Sequence, residues 1–147
     1  MGTMNTDREK KETERVYVQK HPALPPDQEE IVTRTIACGI TVHRELGPGF
    51  KERIYERAFH LELDARGMKF ESEKPVDVRY KQWLIPGQRI DLIVEGVVLV
   101  ELKAVPKLRP IHIAQTLSYL KTTNLRVGLL MNFNSRLFKD GLKRVVR

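Results

Sequence analysis

The chain has 147 residues, of which 41% are hydrophobic, and this predicts one domain with a packed core. Its single cysteine, Cys38, excludes a disulfide framework and a cysteine-only zinc or iron–sulfur site within one chain, and we expect it to be a buried core residue. No apolar run approaches the ~20 residues that span a bilayer, and the N-terminus carries no signal-peptide core. We therefore expect a cytoplasmic protein with no membrane partner.

The formal net charge of +7 is concentrated towards one end of the chain. Residues 1–30 hold 5 basic and 7 acidic residues, residues 31–102 hold 11 of each, and residues 103–147 hold 10 basic residues and 1 acidic residue. Such an excess favours a polyanionic partner, because neutralising phosphates releases counterions and drives sequence-independent binding. A basic surface that only confers solubility is the alternative.

The first part of the chain predicts a tail and two helices. Residues 1–26 mix charges with a proline-containing stretch and predict a flexible N-terminal tail, followed by one domain over residues 27–147. Asp27 is the expected N-cap of the first helix, with Glu30 at the capping-box position, and a Gly-Pro-Gly break ends that helix. A second helix is predicted over about 51–65, with a core face formed by Ile54, Ala58 and Leu61.

The remainder of the chain predicts strands with one helix between them. Apolar, β-branched runs bounded by turn residues are typical of strands, and the return from the third to the fourth strand through a helix implies a parallel crossover. An α/β sandwich is therefore expected. The predicted strands are 68–80, 82–94 with an interruption at Pro86 and Gly87, 97–103, 125–131 and a short edge strand at 141–146, and the helix is 111–122.

Charged side chains mark the ends of two of these strands. Side chains alternate along a strand, so Glu101 and Lys103 share one face while Val100 and Leu102 point to the other. If Asp91 on the preceding strand faces the same side, two carboxylates and an ammonium group converge. That set would suit a divalent cation beside a phosphate. A salt bridge at the rim of the sheet is the simpler explanation.

Two helical pairs accompany these residues. Gln115 and Tyr119 are four residues apart and project from one face of the helix after the Glu101 strand. Glu52 and Glu56 share a face of the second helix next to Tyr55. Taken singly, the first pair fits an ordinary amphipathic boundary and the second a solvated helix face.

Together these residues resemble a known family. Gly49, Glu52 and Tyr55 match a Gly-x-x-Glu-x-x-Tyr signature, and the strand residues and a Gln-x-x-x-Tyr element follow it in order. The chain resembles the GxxExxY proteins of the PD-(D/E)XK nuclease superfamily over about residues 30–147, and its Gln-x-x-x-Tyr element is similar to that of RecB-type nuclease domains. Ile90 stands before Asp91 where the motif has proline. The resemblance implies a restriction-endonuclease-like αβββαβ core, with a central mixed sheet flanked by helices.

The resemblance also implies an active site. It would consist of Glu52, Asp91, Glu101 and Lys103. Asp91, Glu101 and the Leu102 carbonyl would hold Mg²⁺ or Mn²⁺, Glu52 would act through the metal shell or a bridging water, and Lys103 would orient the attacking water. Gln115 and Tyr119 would hold the phosphate backbone or support the metal ligands.

The expected function is therefore metal-dependent hydrolysis of phosphodiester bonds in nucleic acid, with DNA as the favoured substrate. The alternative is a catalytically silent nucleic-acid-binding module of the same fold, and a third possibility is a basic surface that binds an acidic protein. Tyr80 and Trp83 can stack on unpaired bases, but beside a hairpin turn we expect them to close the core. His43 and His112 are expected to be surface or packing residues. Candidate phosphate contacts, chosen by position alone, are Lys107, Arg109, Lys121 and Arg126.

Overall fold

The computed structural model describes residues 23–147 together with residue 8. Most of the predicted flexible tail, residues 1–7 and 9–22, lies outside the described residues. The packed core begins with Leu24, which is buried. Its backbone N–H donates a hydrogen bond to Glu29 Oε1 at 3.1 Å.

The described chain forms a five-stranded mixed sheet with helices. The strand order is β1-β2-β3-β4-β5, with β3 and β4 parallel and the other neighbours antiparallel. This confirms the α/β, restriction-endonuclease-like fold and the parallel return through a helix. The elements are α1 (Pro26–Leu46), α2 (Glu52–Ala65), β1 (Phe70–Tyr80), β2 (Trp83–Val94), β3 (Val98–Lys103), α3 (Pro110–Thr123), β4 (Val127–Asn132), a 3₁₀ helix (Phe138–Gly141) and β5 (Leu142–Val146).

Helix α1 begins two residues earlier than the sequence predicts. Pro25 is the N-cap and Pro26 the first helical residue, so the N-cap assignment to Asp27 and the capping box with Glu30 are wrong. Proline suits the first helical position because its φ angle is already helical and its missing N–H would have no partner there. Asp27 lies in the first turn instead, where its negative charge favours the positive end of the helix dipole.

Helix α2 packs a different face against the core from the one predicted. Tyr55, Phe59 and Leu63 are fully buried, whereas Ile54 is 40% and Leu61 52% exposed. The predicted core face was therefore wrong for Ile54 and Leu61. Both sets have helical spacing, but the observed face places two aromatic rings in the core and so removes more apolar surface from water.

Two cores lie on opposite faces of the sheet. The larger contains residues of α1 and α2 together with Val98, Val100 and Leu102 of β3, and it includes the buried Cys38. The smaller contains Leu99 of β3 and Leu120 of α3. Because side chains alternate along β3, Glu101 and Lys103 lie on the same side as Leu99, which is the side of the sheet that faces α3.

The β1–β2 hairpin continues past the other strands. β2 pairs with β3 only over Leu92–Val94, but it pairs with β1 as far as Tyr80 and Trp83. Pro86 and Gly87 do not interrupt β2; the register shifts opposite them, between Val76 and Val78. Tyr80 is 56% and Trp83 55% exposed, so the expectation that they close the core is wrong. None of the helices in the described part of the chain is long and apolar enough to cross a membrane.

Candidate active site

Asp91 and Glu101 meet where β2 separates from β3. The last paired residues at this end are Leu92 and Val100, so Asp91 and Glu101 are the next residues on the same register and lie opposite one another. The Leu102 N–H donates a hydrogen bond to Asp91 Oδ2 at 3.2 Å. The two carboxyl groups also interact electrostatically, and each affects the pKa of the other. The split between the strands therefore holds two acids side by side.

Glu101 is the more deeply buried of the two acids. Only 4% of the residue is exposed, and its Oε1 atom is buried without a hydrogen-bond partner among the described residues. Burial raises the pKa of Glu101 to about 8, the charge of Asp91 adds to the rise, and Lys103 opposes it. Burial also raises the pKa of Asp91, against the opposing effects of the Leu102 N–H and of Lys103. At neutral pH the pair therefore retains a proton.

Helix α2 brings a third carboxylate to this pair. Burial raises the pKa of Glu52, the charge of Asp91 raises it further, and the Lys103 ammonium lowers it. Glu52 therefore lies within the electrostatic reach of both strand residues. The structure brings Glu52, Asp91, Glu101 and Lys103 into one region.

Tyr55 fixes the start of the helix that carries Glu52. Its hydroxyl donates a hydrogen bond to the Gly47 carbonyl at 2.6 Å and accepts one from the Phe50 N–H at 3.1 Å. Its ring is fully buried and stacks on Phe133, with centroids 4.8 Å apart. The connection from α1 includes Gly49, whose φ of 109° favours glycine. The Gly-x-x-Glu-x-x-Tyr spacing therefore has a structural cause, since the tyrosine ties down the loop in front of the glutamate.

Two acids that the sequence interpretation left out also lie close to the site. Burial raises the pKa of Glu56, and the charges of Asp91, Glu73 and Glu52 raise it further. Glu73 lies on β1 with a positive φ of 49°, at a position that the β1–β2 pairing skips. The i,i+4 spacing of Glu52 and Glu56 was a usable signal, but no sequence pattern pointed to Glu73.

Of the Gln-x-x-x-Tyr pair, Tyr119 is the residue that interacts with the acids. It is half-buried; burial raises its pKa, the charges of Glu101 and Asp91 raise it further, and a hydrogen bond with Gln88 opposes the rise. Gln115 lies one turn earlier on the same helix and is exposed to solvent. We expected Gln115 to face the site rather than solvent, and its exposure does not meet that expectation. The exposed side chain remains accessible to a bound substrate.

The donor set suits a hard divalent cation with help from the backbone. Among the residues that the structure describes, no three His, Cys, Asp or Glu side chains are grouped closely enough to hold a metal ion by themselves. The pair formed by Asp91 and Glu101 does fit, because two carboxylates lie side by side and one buried Glu101 oxygen lacks a partner. Mg²⁺ binds through one or two carboxylates and retains several waters.

The remaining candidates divide into exposed cations and packing histidines. His43 is buried and its Nε2 lies 2.7 Å from the Ser135 carbonyl oxygen. His112 Nδ1 accepts a hydrogen bond from the Arg109 N–H at 2.9 Å and so caps the start of α3. Neither histidine is placed to act on the acid pair. The four candidate phosphate contacts, Lys107, Arg109, Lys121 and Arg126, are all exposed.

A family model described as the PD-(D/E)XK nuclease superfamily matches residues 29–145. The match includes the acid pair, Lys103 and all five strands. Neither the curated proteins nor the solved structures contain a significant match to the chain. Because the family model covers most of the sequence, the chain belongs to the PD-(D/E)XK nuclease superfamily.

Proposed function

We propose that this member of the superfamily is a metal-dependent nuclease that hydrolyses phosphodiester bonds, with DNA as its substrate. The observation that carries the proposal is the buried pair of Asp91 and Glu101 beside Lys103, with one Glu101 oxygen lacking a partner. A buried acid without a full set of hydrogen bonds destabilises a fold, so its presence calls for a function. Binding a cation removes the penalty, because the cation favours the ionised carboxylates.

In this proposal Asp91, Glu101 and the Leu102 carbonyl bind Mg²⁺ or Mn²⁺, and Glu52 acts through a water. The bound metal would polarise the scissile phosphate and lower the pKa of a water. Lys103 lies on the same side of β3 as Glu101, where its ammonium group orients the attacking water and offsets the charge that develops on the phosphate. The buried walls around Glu101 strengthen that interaction by excluding water.

Residues around the pair would position the nucleic acid. Tyr119 is close enough to Glu101 and Asp91 for their charges to raise its pKa, so its hydroxyl can donate to a phosphate bound there. Gln115, exposed on the same helix face, would hold the next part of the backbone. The cationic side chains of Lys107, Arg109, Lys121 and Arg126 are exposed and would supply attraction that does not depend on sequence.

The test is a cleavage panel of single-stranded, duplex and branched DNA and of RNA, with Mg²⁺ or Mn²⁺. The wild-type protein should cut DNA, and chelation of the metal should abolish cutting. Lys103→Ala should reduce cleavage by at least 100-fold with a much smaller loss of affinity, because it removes an interaction made chiefly in the transition state.

A matched control is Lys69→Ala, which removes one exposed positive charge beside the Glu95 turn at the far end of the β2–β3 ladder. It should leave cleavage unchanged. Binding of nucleic acid by the wild type with no metal-dependent cleavage of any substrate would favour the silent binding module. Cleavage that survives Lys103→Ala at the wild-type rate would contradict the assigned role of Lys103.

A further inference from the structure

The tip of the β1–β2 hairpin presents aromatic side chains to solvent. Tyr80 and Trp83 pair across the end of the hairpin, and their rings stack with centroids 6.3 Å apart at an interplanar angle of 20°. Their neighbours Leu84 and Ile85 are at least half exposed. Clustered apolar side chains that a fold keeps in water mark an interaction surface. This tip is not used by the proposed catalytic machinery.

The charge at the tip indicates what the surface meets. Residues 78–89 include Arg79, Lys81 and Arg89 and no acidic residue. The Lys81 Nζ atom lies 5.5 Å from the centre of the Tyr80 ring. Aromatic rings interleaved with cations are the combination that binds single-stranded nucleic acid, since bases stack on the rings and phosphates meet the cations. Bases in an intact duplex are already stacked on one another and do not present their faces.

A depression lies between the β1–β2 hairpin and helix α3. It is lined by residues of the hairpin, Val78, Arg79 and Gln88, and by residues of α3, including Tyr119 and Lys121. Gln88 and Tyr119 both line this depression, and Tyr119 in turn lies within reach of the charges of Glu101 and Asp91. The depression therefore lies between Arg79, which adjoins Tyr80, and Tyr119, which is within reach of the acid pair, and its lining includes the cations of Arg79 and Lys121.

We propose that Tyr80 and Trp83 bind unpaired nucleotides of the nucleic-acid strand whose backbone enters the active site. The inference rests on the proposed nuclease function and assigns its substrate class: DNA with a single-stranded stretch. Trp83 lies eight residues along β2 from Asp91, which at ~3.4 Å per residue is about 27 Å. A stacked strand spaced at ~3.4 Å per nucleotide would cover that distance with about eight nucleotides.

Trp83 is the single tryptophan of the chain, so intrinsic fluorescence reports on the hairpin tip. The wild-type protein would be titrated, with the metal chelated, with oligothymidylates of 4, 8, 12 and 16 nucleotides and with a blunt duplex of 16 base pairs. The single strands should quench the fluorescence, and affinity should increase with length up to about 8 nucleotides and level off beyond it. The duplex should bind through the basic surface without quenching.

Affinity for labelled single strands, measured by anisotropy, tests the rings directly. Trp83→Ala and Tyr80→Ala should each weaken binding by about 5- to 150-fold, as expected from ~1–3 kcal/mol per stacked base. Trp83→Phe should recover most of the affinity because it keeps an aromatic face. The matched control is Leu61→Ala on α2, which truncates an apolar side chain with a similar exposed fraction, 52%, and should change nothing. Circular dichroism checks that every variant is folded.

Several outcomes would overturn the inference. The first is that Trp83→Ala and Tyr80→Ala bind single strands as tightly as the wild type does. The second is that the blunt duplex quenches the Trp83 fluorescence as strongly as the single strands do. A third is a concentration-dependent dimer, seen by sedimentation, that Trp83→Ala abolishes without changing affinity, since the rings would then bind a second copy of the chain. Ring-dependent binding by a wild type that cleaves nothing would contradict the nuclease proposal alone. If the wild type and Trp83→Ala cleave DNA at the same rate, and each cuts tailed and blunt DNA equally fast, only the hairpin proposal is contradicted.

Discussion

The ionisation of Glu101 gives a prediction that needs neither metal nor substrate. The ordinary pKa of a glutamate is 4.5, and in the folded protein that of Glu101 is raised to about 8. Below pH 4.5 the Glu101 carboxyl is protonated in both the folded and the unfolded chain. Between the two values the folded protein retains a proton that the unfolded chain has lost, so stability falls as the pH rises, and above about pH 8 the loss is complete.

The size of the loss follows from the shift. Each pKa unit corresponds to ~1.4 kcal/mol, so ionising Glu101 in the folded, metal-free protein costs at most about 5 kcal/mol. Between pH 6 and pH 9 the loss should be about 3 kcal/mol. Glu101→Gln keeps the shape of the side chain and a hydrogen-bond donor towards Asp91 but cannot ionise, so this part of the pH dependence should disappear.

The assay is urea denaturation at pH 6, 7, 8 and 9 with a chelator present. The wild type should lose about 3 kcal/mol more than Glu101→Gln over this range, because all other groups titrate in both proteins. Glu45→Gln, which changes an exposed acid of α1, is the control and should follow the wild type. Parallel curves for wild type and Glu101→Gln would refute the reasoning, since Glu101 would then ionise as a solvated acid.

Three further predictions concern the metal, the motif tyrosine and the helix α3 pair. Mg²⁺ or Mn²⁺ at about 100 times its Kd should stabilise the wild type by ~2.7 kcal/mol, or about 5–10 °C in Tm, and an equal shift in Asp91→Ala would mean that the ion binds elsewhere. Tyr55→Phe should cost ~1–3 kcal/mol in urea denaturation because two partners on the preceding loop lose their hydrogen bonds, and an unchanged midpoint would count against the loop-fixing role. Tyr119→Phe should reduce cleavage more than Gln115→Ala, because Tyr119 is the one within reach of the acid pair, and the reverse order in kcat/KM would assign the larger role to Gln115.

The acid pair was accessible from sequence because it depends on short-range rules. Alternation along a strand puts Glu101 and Lys103 on one side, and the tight turn between β2 and β3 sets the register that brings Asp91 opposite Glu101. The Gly-x-x-Glu-x-x-Tyr signature likewise acts within one loop and one helix. These features require no knowledge of how distant elements pack.

The errors came from features that depend on tertiary structure. On α2, Ile54 and Leu61 have helical spacing as good as that of Tyr55 and Phe59, and only the position of Phe133 decides which face is buried. Helix spacing alone therefore left the choice of face open.

The length of the β1–β2 hairpin was equally inaccessible. Aromatic residues beside a turn are usually core residues, but Tyr80 and Trp83 lie beyond the end of the β2–β3 pairing, and nothing in the local sequence reveals where β3 stops. Glu56 was expected to be a solvated helix residue. The packing of α2 places it within reach of the charge of Asp91.

The most direct test of the account is to locate Mn²⁺ in crystals of the protein by anomalous scattering. The account predicts a peak at the split between β2 and β3, within ~2.5 Å of carboxylate oxygens of Asp91 and Glu101 and of the Leu102 carbonyl oxygen. The same peak should be absent from crystals of Asp91→Ala. A wild-type map with no peak at this split, or with ions only elsewhere on the surface, would contradict the claim that the acid pair is a metal-dependent catalytic centre.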